Sequence, residues 1–403
     1  MVYPIRLPLA ATVFACAVPA AHAATMNPFL VADQSSRQIL LATDVNGNGH
    51  ANDAGEVGAF FGADNWAGLP TGSANFYALT QARTGHVYAN DGGNKAVYRL
   101  YDRDGDGNAN GQHEANLWFS AADNAGGYGL GLPNGVAEGA DGAIYVTSGP
   151  FHHHETAEPA RVYRTVDLDG DGNANGAGEV SVWLDFSDLT ASSSPFEISF
   201  IKDTAYVVDS ASGTVFRARD ADGDGRVSAD EVTSFITADN PWGAPVRFAI
   251  GTSAEDVYLW QWVADADGLH SAFRLRDLNG DGVIDEADEV LKVWDSSHLG
   301  EDYVFTAGFG MDALSDGQLV LTANGGTPGS RSIIYLRDLD GDGLFFGEGE
   351  TLLALSQLDH GTYPTRPRDV AFSSAPAPVP LPATLPALAG AFGLLASLRR
   401  RRG

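Results

Sequence analysis

The sequence predicts an all-β fold, a six-bladed β-propeller, on three observations. One unit recurs six times, each unit holds four short alternating strands, and the two ends of the repeated body match different strands of one unit. The core of the unit is a strand that runs into an acidic, glycine-rich loop. These loops start at Asp44, Asp102, Asp167, Asp220, Asp277 and Asp338, so they are 58, 65, 53, 57 and 61 residues apart. That period fits a propeller blade carrying an insertion.

Four strands are expected in each blade. The third strand enters the loop, as in 96–101 before Asp102. A pair such as 134–146, with a turn at Asp141-Gly142, predicts the first and second strands, and a run such as 290–294 after the loop predicts the fourth. The loops are therefore expected between the third and fourth strands of each blade.

The phase of the two ends predicts how the ring closes. The body begins at 28–32, which matches a second strand, and it ends at 367–372, which matches a first strand. We therefore expect the N- and C-terminal strands to share one blade. The rhythm of the strand pairs resembles that of NHL-type and gluconolactonase-type propellers, and this resemblance implies a metal-dependent lactonase or related hydrolase as an alternative function.

The N-terminal segment 1–23 is interpreted as a signal peptide. It has Arg6, an apolar run over 7–21 and a small-x-small ending at Ala21-His22-Ala23. Cleavage before Ala24 would remove Cys16, the one cysteine of the chain. The exported body would then have neither disulfides nor thiol chemistry.

The C-terminal segment 375–403 is interpreted as a sorting tail. Val379-Pro380-Leu381-Pro382-Ala383 precedes an apolar stretch that ends at Leu398 and is followed by four arginines, 399–402. This order resembles the VPLPA variant of the PEP-CTERM tail. The resemblance implies an exosortase-type processing enzyme acting at Val379–Ala383, transient anchoring in the inner membrane, and a final location at the cell surface, outer envelope or extracellular matrix. A plain C-terminal membrane anchor is the alternative.

The body of the chain, 24–374, contains all of the acidic residues, and the resulting negative charge excludes one class of partner. The whole chain has 52 Asp and Glu against 24 Lys and Arg, a net charge of −28, although only 19% of its residues are charged. Such a chain has no general attraction for phosphate backbones, so nucleic acid is not expected as a partner. The six loops, counted from the first Asp to the closing Glu, hold 27 of the 52 acids.

The loops match the EF-hand calcium pattern, in which positions 1, 3, 5, 7, 9 and 12 supply oxygen ligands and glycine stands at position 6. The residues that this pattern assigns to calcium are Asp44, Asn46, Asn48 and Glu56 in loop one; Asp102, Asp104, Asp106, Asn108, Asn110 and Glu114 in loop two; Asp167, Asp169, Asp171, Asn173, Asn175 and Glu179 in loop three; Asp220, Asp222, Asp224, the Arg226 carbonyl, Ser228 and Glu231 in loop four; Asp277, Asn279, Asp281, the Val283 carbonyl, Asp285, Asp288 and Glu289 in loop five; and Asp338, Asp340, Asp342, the Leu344 carbonyl and Glu350 in loop six.

The closing acid departs from the pattern in five of the six loops. In these five loops the closing Glu stands at position 13, one residue later than the pattern requires, whereas loop four has Glu231 at position 12. The displaced Glu either reaches back or is replaced by water, and loop five has Asp288 as a further option. Loop one, with Asn46 and Asn48, is expected to bind calcium loosely or not at all. Because strands rather than helices enter the loops, they resemble dockerin or thrombospondin type 3 loops, and we expect several Ca²⁺ per chain, up to six.

The axial channel of the ring supplies the remaining candidates. The repeat alignment places Glu197, Arg247 and Asp369 at one equivalent position, with Asn134 beside it. Asn134, Glu197 and Asp369 could hold a metal and Arg247 could bind an anion; alternatively, the charged groups pair with one another. The sequence thus favours an exported calcium-binding propeller that acts as a binding or scaffold module, with a polysaccharide or surface protein as ligand. Trp66, Trp242 and Trp260 could stack on sugars or could lie in the core.

Overall fold

The computed structural model describes residues 26–150, 159–190, 192–237, 239–243, 245–262, 264, 267–299, 307–325 and 331–373. These residues form 24 strands in six four-stranded antiparallel sheets. In blade order, the sheets are β24 (Pro367–Phe372), β1 (Phe29–Asp33), β2 (Gln38–Ala42) and β3 (Val57–Phe61); β4 (Phe76–Gln81), β5 (Val87–Asp91), β6 (Ala96–Leu100) and β7 (Ala115–Ser120); β8 (Leu132–Glu138), β9 (Ile144–Gly149), β10 (Arg161–Thr165) and β11 (Val180–Asp185); β12 (Pro195–Ile201), β13 (Thr204–Asp209), β14 (Thr214–Ala218) and β15 (Val232–Ile236); β16 (Ala249–Thr252), β17 (Val257–Trp260), β18 (Ser271–Leu275) and β19 (Val290–Asp295); and β20 (Ala307–Ala313), β21 (Leu319–Asn324), β22 (Ser332–Leu336) and β23 (Thr351–Ser356).

The sheets are the blades of a closed ring, which confirms the predicted fold class. The first strands of successive blades, β24, β4, β8, β12, β16 and β20, contact one another in turn and line the axis. Each acidic loop lies between the third and fourth strands of its blade. One short helix, α1 (Gln357–His360), and four one-turn 3₁₀ helices are the helical elements of the described residues.

The core lies between neighbouring blades rather than within one sheet. Large side chains from facing sheets interlock, as where Phe61 of blade one packs edge-on against Phe76 of blade two, with ring centroids 6.1 Å apart. Buried indole groups add polar links between blades, since Trp118 Nε1 donates to Thr165 Oγ1 at 2.8 Å. Burial of these apolar surfaces is the main term that stabilises the ring.

The shared blade confirms the prediction from the phase of the ends. Strand β24 pairs antiparallel with β1, with Phe372 opposite Phe29, and β1 pairs with β2, with Phe29 opposite Ala42. The last described residue, Ser373, donates its backbone N–H to the Pro28 carbonyl at 2.8 Å. Both ends of the ring therefore leave on the side from which loop one and the other five loops project. We call this side the loop face.

The predicted signal peptide, 1–23, and the sorting tail, 375–403, lie outside the described residues. Within the part of the chain that the structure describes, no helix is long and apolar enough to cross a membrane.

Candidate functional site

The first Asp of every acidic loop is held by the same two hydrogen bonds. In loop two, one oxygen of Asp102 accepts the N–H of Gly105 at 2.7 Å and the other accepts the N–H of Gly107 at 2.9 Å. Gly107 has φ of +90°, a conformation that residues with a Cβ rarely adopt. The other five loops repeat this pair of bonds. The DxDGDG spacing thus gives each loop one fixed turn.

The closing Glu ties the end of each loop to its start. In loop two, one oxygen of Glu114 accepts the N–H groups of Arg103 and Asp104, and the other accepts the N–H of Gly111. The five glutamates at position 13 are only 1 to 4% exposed. Their carboxylates therefore reach back into the loop, which is one of the two arrangements that the sequence left open.

Loop four reaches the same arrangement with one residue fewer. Glu231 at position 12 accepts the N–H groups of Ala221, Asp222 and Ser228. The Ser228 and Ala221 N–H groups lower the pKa of Glu231 to about 2. Position 12 in loop four and position 13 elsewhere are therefore structurally equivalent.

Loop five uses Glu289 rather than Asp288 as its closing acid. The carboxylate of Glu289 accepts the N–H groups of Leu278 and Asp285 at 3.0 and 3.2 Å. Asp288 is exposed in the 3₁₀ helix Ala287–Glu289.

Groups of three carboxylates converge in four of the loops, and in loop one Asp53 and Glu56 converge with a nitrogen of His50. Groups whose oxygens all lie within 4.8 Å of one another occur in loops two, three, four and six: Asp102, Asp104 and Asp106; Asp167, Asp169 and Glu179; Asp220, Asp222 and Glu231; Asp338, Asp340 and Asp342. Two oxygens on one Ca²⁺ at about 2.4 Å each can be no more than about 4.8 Å apart. These spacings suit a hard cation with oxygen ligands. In loop five, Asn279 replaces the acid at position 3 and its Oδ1 accepts the Asp281 N–H.

The position 9 asparagines point away from the loop centres. Asn110 Oδ1 accepts the N–H of Gly62 at 3.0 Å, and Asn175 Oδ1 accepts the N–H of Ser120 at 3.1 Å. The sequence assigned both oxygens to calcium, whereas in this structure each bonds to the preceding blade. The Oδ1 atoms of Asn108 and Asn173 accept the backbone N–H groups of Asn110 and Asn175. A water would have to fill the ninth position in loops two and three.

Loop one contains an acid that the sequence reasoning missed. The Asp53 carboxylate accepts the side-chain amides of Asn46 and Asn48, both at 2.7 Å. Those two bonds lower the pKa of Asp53. Because the amides already provide donors for the carboxylate, loop one has an internal substitute for a cation. The signal was readable, since only loops one and five have an acid at position 10, Asp53 and Glu286, and only loop one also has asparagines at positions 3 and 5.

Each loop is bonded to the blade that precedes it. The residue at position 8 is apolar and buried, and its N–H donates to a carbonyl of the neighbouring fourth strand, as from Ala109 to Phe60 at 2.7 Å. The full set of pairs is Ala51 to Ala354, Ala109 to Phe60, Ala174 to Trp118, Val227 to Trp183, Ile284 to Phe235 and Phe345 to Val293. The loops therefore bridge all six blade junctions, including the one where the ring closes.

Arginines of the third strands lie beside the next loop. Arg99 Nη1 is 3.7 Å from Asp167, and Arg217 Nη1 is 3.9 Å from Asp277. These contacts are long and partly exposed, so each contributes little to stability. They reduce the negative charge on the outer side of loops three and five.

Three carboxyl groups lie on first strands that line the axial channel: Glu197 and Asp369, which are buried, and Asp312, which is half-buried. Burial raises the pKa of Glu197 well above its usual range and that of Asp369 to about 8, and nearby carboxylates add to both shifts. Burial also raises the pKa of Asp312, which the sequence reasoning missed, to about 6. Among the described residues, neither Glu197 nor Asp369 forms an ion pair. The expected pairing of the channel charges is therefore wrong for these two groups.

The other two channel candidates are turned to the backbone. Arg247 donates to the Ser210 carbonyl, and Asn134 Nδ2 donates to the Pro195 carbonyl at 3.1 Å. In the described part of the chain, the convergent acid groups lie in the loops and none includes Glu197 or Asp369. The metal-binding set that the sequence suggested for the channel, Asn134 with Glu197 and Asp369, stays a prediction.

An aromatic layer fills the channel near the face opposite the loops. Tyr77, Phe196 and Phe248, each from a different blade, form one buried cluster. The Arg368 guanidinium lies 4.3 Å from the centroid of Phe309 at the rim of this cluster, and burial lowers its pKa to about 10.

The three tryptophans have different environments. Trp260 is buried and donates to the Thr322 carbonyl at 2.8 Å, and Trp242 stacks on Phe273. Trp66 is exposed. Only Trp66 among the three is available for stacking on a ligand.

Comparison with known proteins adds the fold but no family. No family model matches the sequence, and no curated protein matches it. A chain in the crystal structure of a nidogen/laminin complex is 13% identical over 87% of this chain and 100% of that chain, with a TM-score of 0.51. A streptogramin B lyase is 11% identical over 86% and 84%, with a TM-score of 0.46. A gluconolactonase from Xanthomonas campestris is 16% identical over 74% and 83%, with a TM-score of 0.45. At these identities the likeness extends to the propeller fold alone.

Proposed function

We propose that the protein is an exported calcium-binding β-propeller that serves as a binding or scaffold module at the cell surface or in the extracellular matrix. An exosortase-type enzyme would process it at Val379–Ala383. Calcium would bind loops two to six and hold the blades of a body that has no disulfides. A polysaccharide or a surface protein is the expected ligand.

The convergence of carboxylates in loops two, three, four and six, which bridge blade junctions, carries this proposal, and loop five is included because it keeps the same motif and the same closing Glu. Repulsion between the acids of a loop such as Asp102, Asp104 and Asp106 destabilises the apo ring, and a cation would remove that repulsion. Extracellular loops of this kind bind calcium with Kd of about 10⁻⁴ to 10⁻³ M. Calcium at 100 times Kd stabilises by about 2.7 kcal/mol per site, so several sites would rival the whole stability of a domain.

A metal-dependent lactonase that uses the axial channel is the alternative. It is favoured by the carboxyl groups of Glu197, Asp312 and Asp369 on the channel strands, whose pKa values are all raised. It is disfavoured because these groups are not gathered at metal-ligand spacing and because aromatic side chains fill one end of the channel. A hydrolase in the channel would need these carboxyl groups to come together and the aromatic side chains to move aside.

Calcium counted per chain tests the proposal. We expect elemental analysis of the purified protein, after dialysis against excess calcium, to give about five ions, one for each of loops two to six. Replacing Asp102, Asp104 and Asp106 with Asn should remove one ion. The matched gain-of-site variant, Asn46→Asp with Asn48→Asp, should add one in loop one. A count near zero, or one that these variants leave unchanged, contradicts the proposal.

A further inference from the structure

The loop face carries a ring of exposed aliphatic side chains. Of the eight large apolar side chains that are exposed in the described part of the chain, four stand at position 2 of an acidic loop. They are Val45, Leu168, Leu278 and Leu339, which are 46, 66, 60 and 53% exposed, and we call them the aliphatic crown. Scattered single apolar residues need no explanation, whereas a set repeated at one loop position on one face is a candidate interaction surface.

Position 2 also lacks acids in loops that are otherwise rich in them. Its other two occupants are Arg103 in loop two and Ala221 in loop four, both exposed. Each position 2 residue is next to the Asp that begins the loop, so the crown and the candidate calcium sites face the same partner. A partner for this surface needs an apolar layer and, beside it, anionic oxygens that can complete the shell of a bound cation.

The exit of the chain selects that partner. The described structure ends at Ser373 on the loop face, and the apolar tail begins at Val379. The six residue steps from Ser373 to Val379 span at most about 22 Å when fully extended. While the tail is held in a membrane, the loop face must therefore lie close to that membrane's surface.

We propose that the loop face, with calcium in its loops, docks on the phosphate-bearing lipid surface of the membrane that holds the C-terminal tail. The crown would enter the boundary between headgroups and acyl chains, and lipid phosphate oxygens would complete the calcium shells. Without calcium, the acids of the loop face are repelled by anionic lipid. The proposal rests on the calcium binding and the membrane-held tail proposed above.

Site-specific quenching tests the docking with the full chain. In a Cys16→Ser background, single cysteines at Leu168, Leu278 or Leu339 would carry a polarity-sensitive fluorophore. The chain would be reconstituted through its own tail into vesicles of phosphatidylethanolamine and phosphatidylglycerol containing nitroxide-labelled lipid. We expect calcium to raise quenching at all three positions at least about twofold and chelator to reverse it.

A matched control lies on the opposite face. Leu358 in α1 is 49% exposed and follows the fourth strand of blade six, so a label there should not respond to calcium. A triple variant with Asp at Leu168, Leu278 and Leu339, labelled at Val45→Cys, should keep its calcium count and lose the response. Equal quenching at Leu358→Cys, or quenching that chelator does not reverse, overturns the proposal.

The failures of the underlying proposals can be told apart. A chain that does not float with the vesicles in chelator overturns both the membrane-held tail and the docking. A chain that floats and binds calcium, yet shows no quenching at the crown, overturns the docking alone. Calcium-dependent excimer emission from pyrene at Leu168→Cys, without lipid quenching, assigns the loop face to a second copy of the chain and also overturns the docking.

Discussion

The closing glutamates show how one side chain fixes a whole loop. Glu289 is 1% exposed and its carboxylate accepts backbone N–H groups at both ends of loop five. The motif predicted a closing acid in each loop. It could not show whether a Glu at position 13 can replace an acid at position 12, because that depends on the path of the backbone between the two strands. The structure shows that path, and it makes positions 12 and 13 equivalent.

Adjacent acids in loop five provide a matched test of that role. We expect Glu289→Gln to lower the free energy of unfolding by about 1 to 3 kcal/mol, because an amide nitrogen would face backbone donors. Asp288→Asn, at the exposed neighbouring position, should change it by less than about 0.5 kcal/mol. Urea denaturation in excess calcium measures both. A larger cost for Asp288→Asn would show that position 12 closes the loop.

The channel acids predict a dependence of stability on pH. A carboxyl whose folded-state pKa is raised contributes stability that is fully present below its unfolded pKa and is lost as pH rises through the folded pKa. The pKa of Asp369 is raised from 3.8 to about 8, and that of Glu197 is also raised. The ring is therefore expected to lose stability progressively as the pH rises from about 4 to about 8.

Removing one of these acids should reduce the loss. We expect Glu197→Gln to match the parent near pH 4 and to exceed it by about 1 to 3 kcal/mol at pH 8, in excess calcium. The exposed Glu255→Gln is the control and should follow the parent at both pH values. Denaturant midpoints at the two pH values measure the effect. The same pH dependence in the parent and in Glu197→Gln would contradict a raised pKa for the buried Glu197 carboxyl.

At the scale of elements, the loops act as links between blades. Apolar residues at position 8, such as Ala109 and Phe345, insert into the junction and bond to the preceding fourth strand. The sequence carried this signal as one buried apolar position in an acidic loop, but the partner strand could not be read from it. Only the packing of one blade on the next supplies that partner.

Hydrogen exchange of these amides tests the link to calcium. On addition of chelator, we expect the position 8 amides of loops two to six to lose protection by about tenfold or more, because loop repulsion opens the junctions. The amide of Ala51 should be the internal control, since Asp53 already bonds to both asparagines of loop one. Equal loss of protection at all six positions, or no loss at any position, would contradict the difference expected between loop one and the calcium-dependent loops two to six.

At the scale of the whole molecule, the repeat and the phase of the ends predicted the ring, and the structure confirms both. Strand period and loop spacing are local in sequence, so they were readable. The lining of the channel could not be predicted in this way. The positions of Asp312 and of the aromatic layer around Phe248 depend on the twist of each blade, which the sequence pattern does not give. The acidity of the chain likewise became interpretable once the loops were located on one face.

The most direct test of the account is a thermal melting curve of the full chain in excess calcium and in chelator. With about five sites near 100 times Kd, we expect calcium to raise Tm by about 10 to 20 °C. Magnesium at the same concentration is the control and should give much less, because it demands smaller octahedral shells. A Tm that is the same in calcium and in chelator would contradict the claim that calcium holds this ring together.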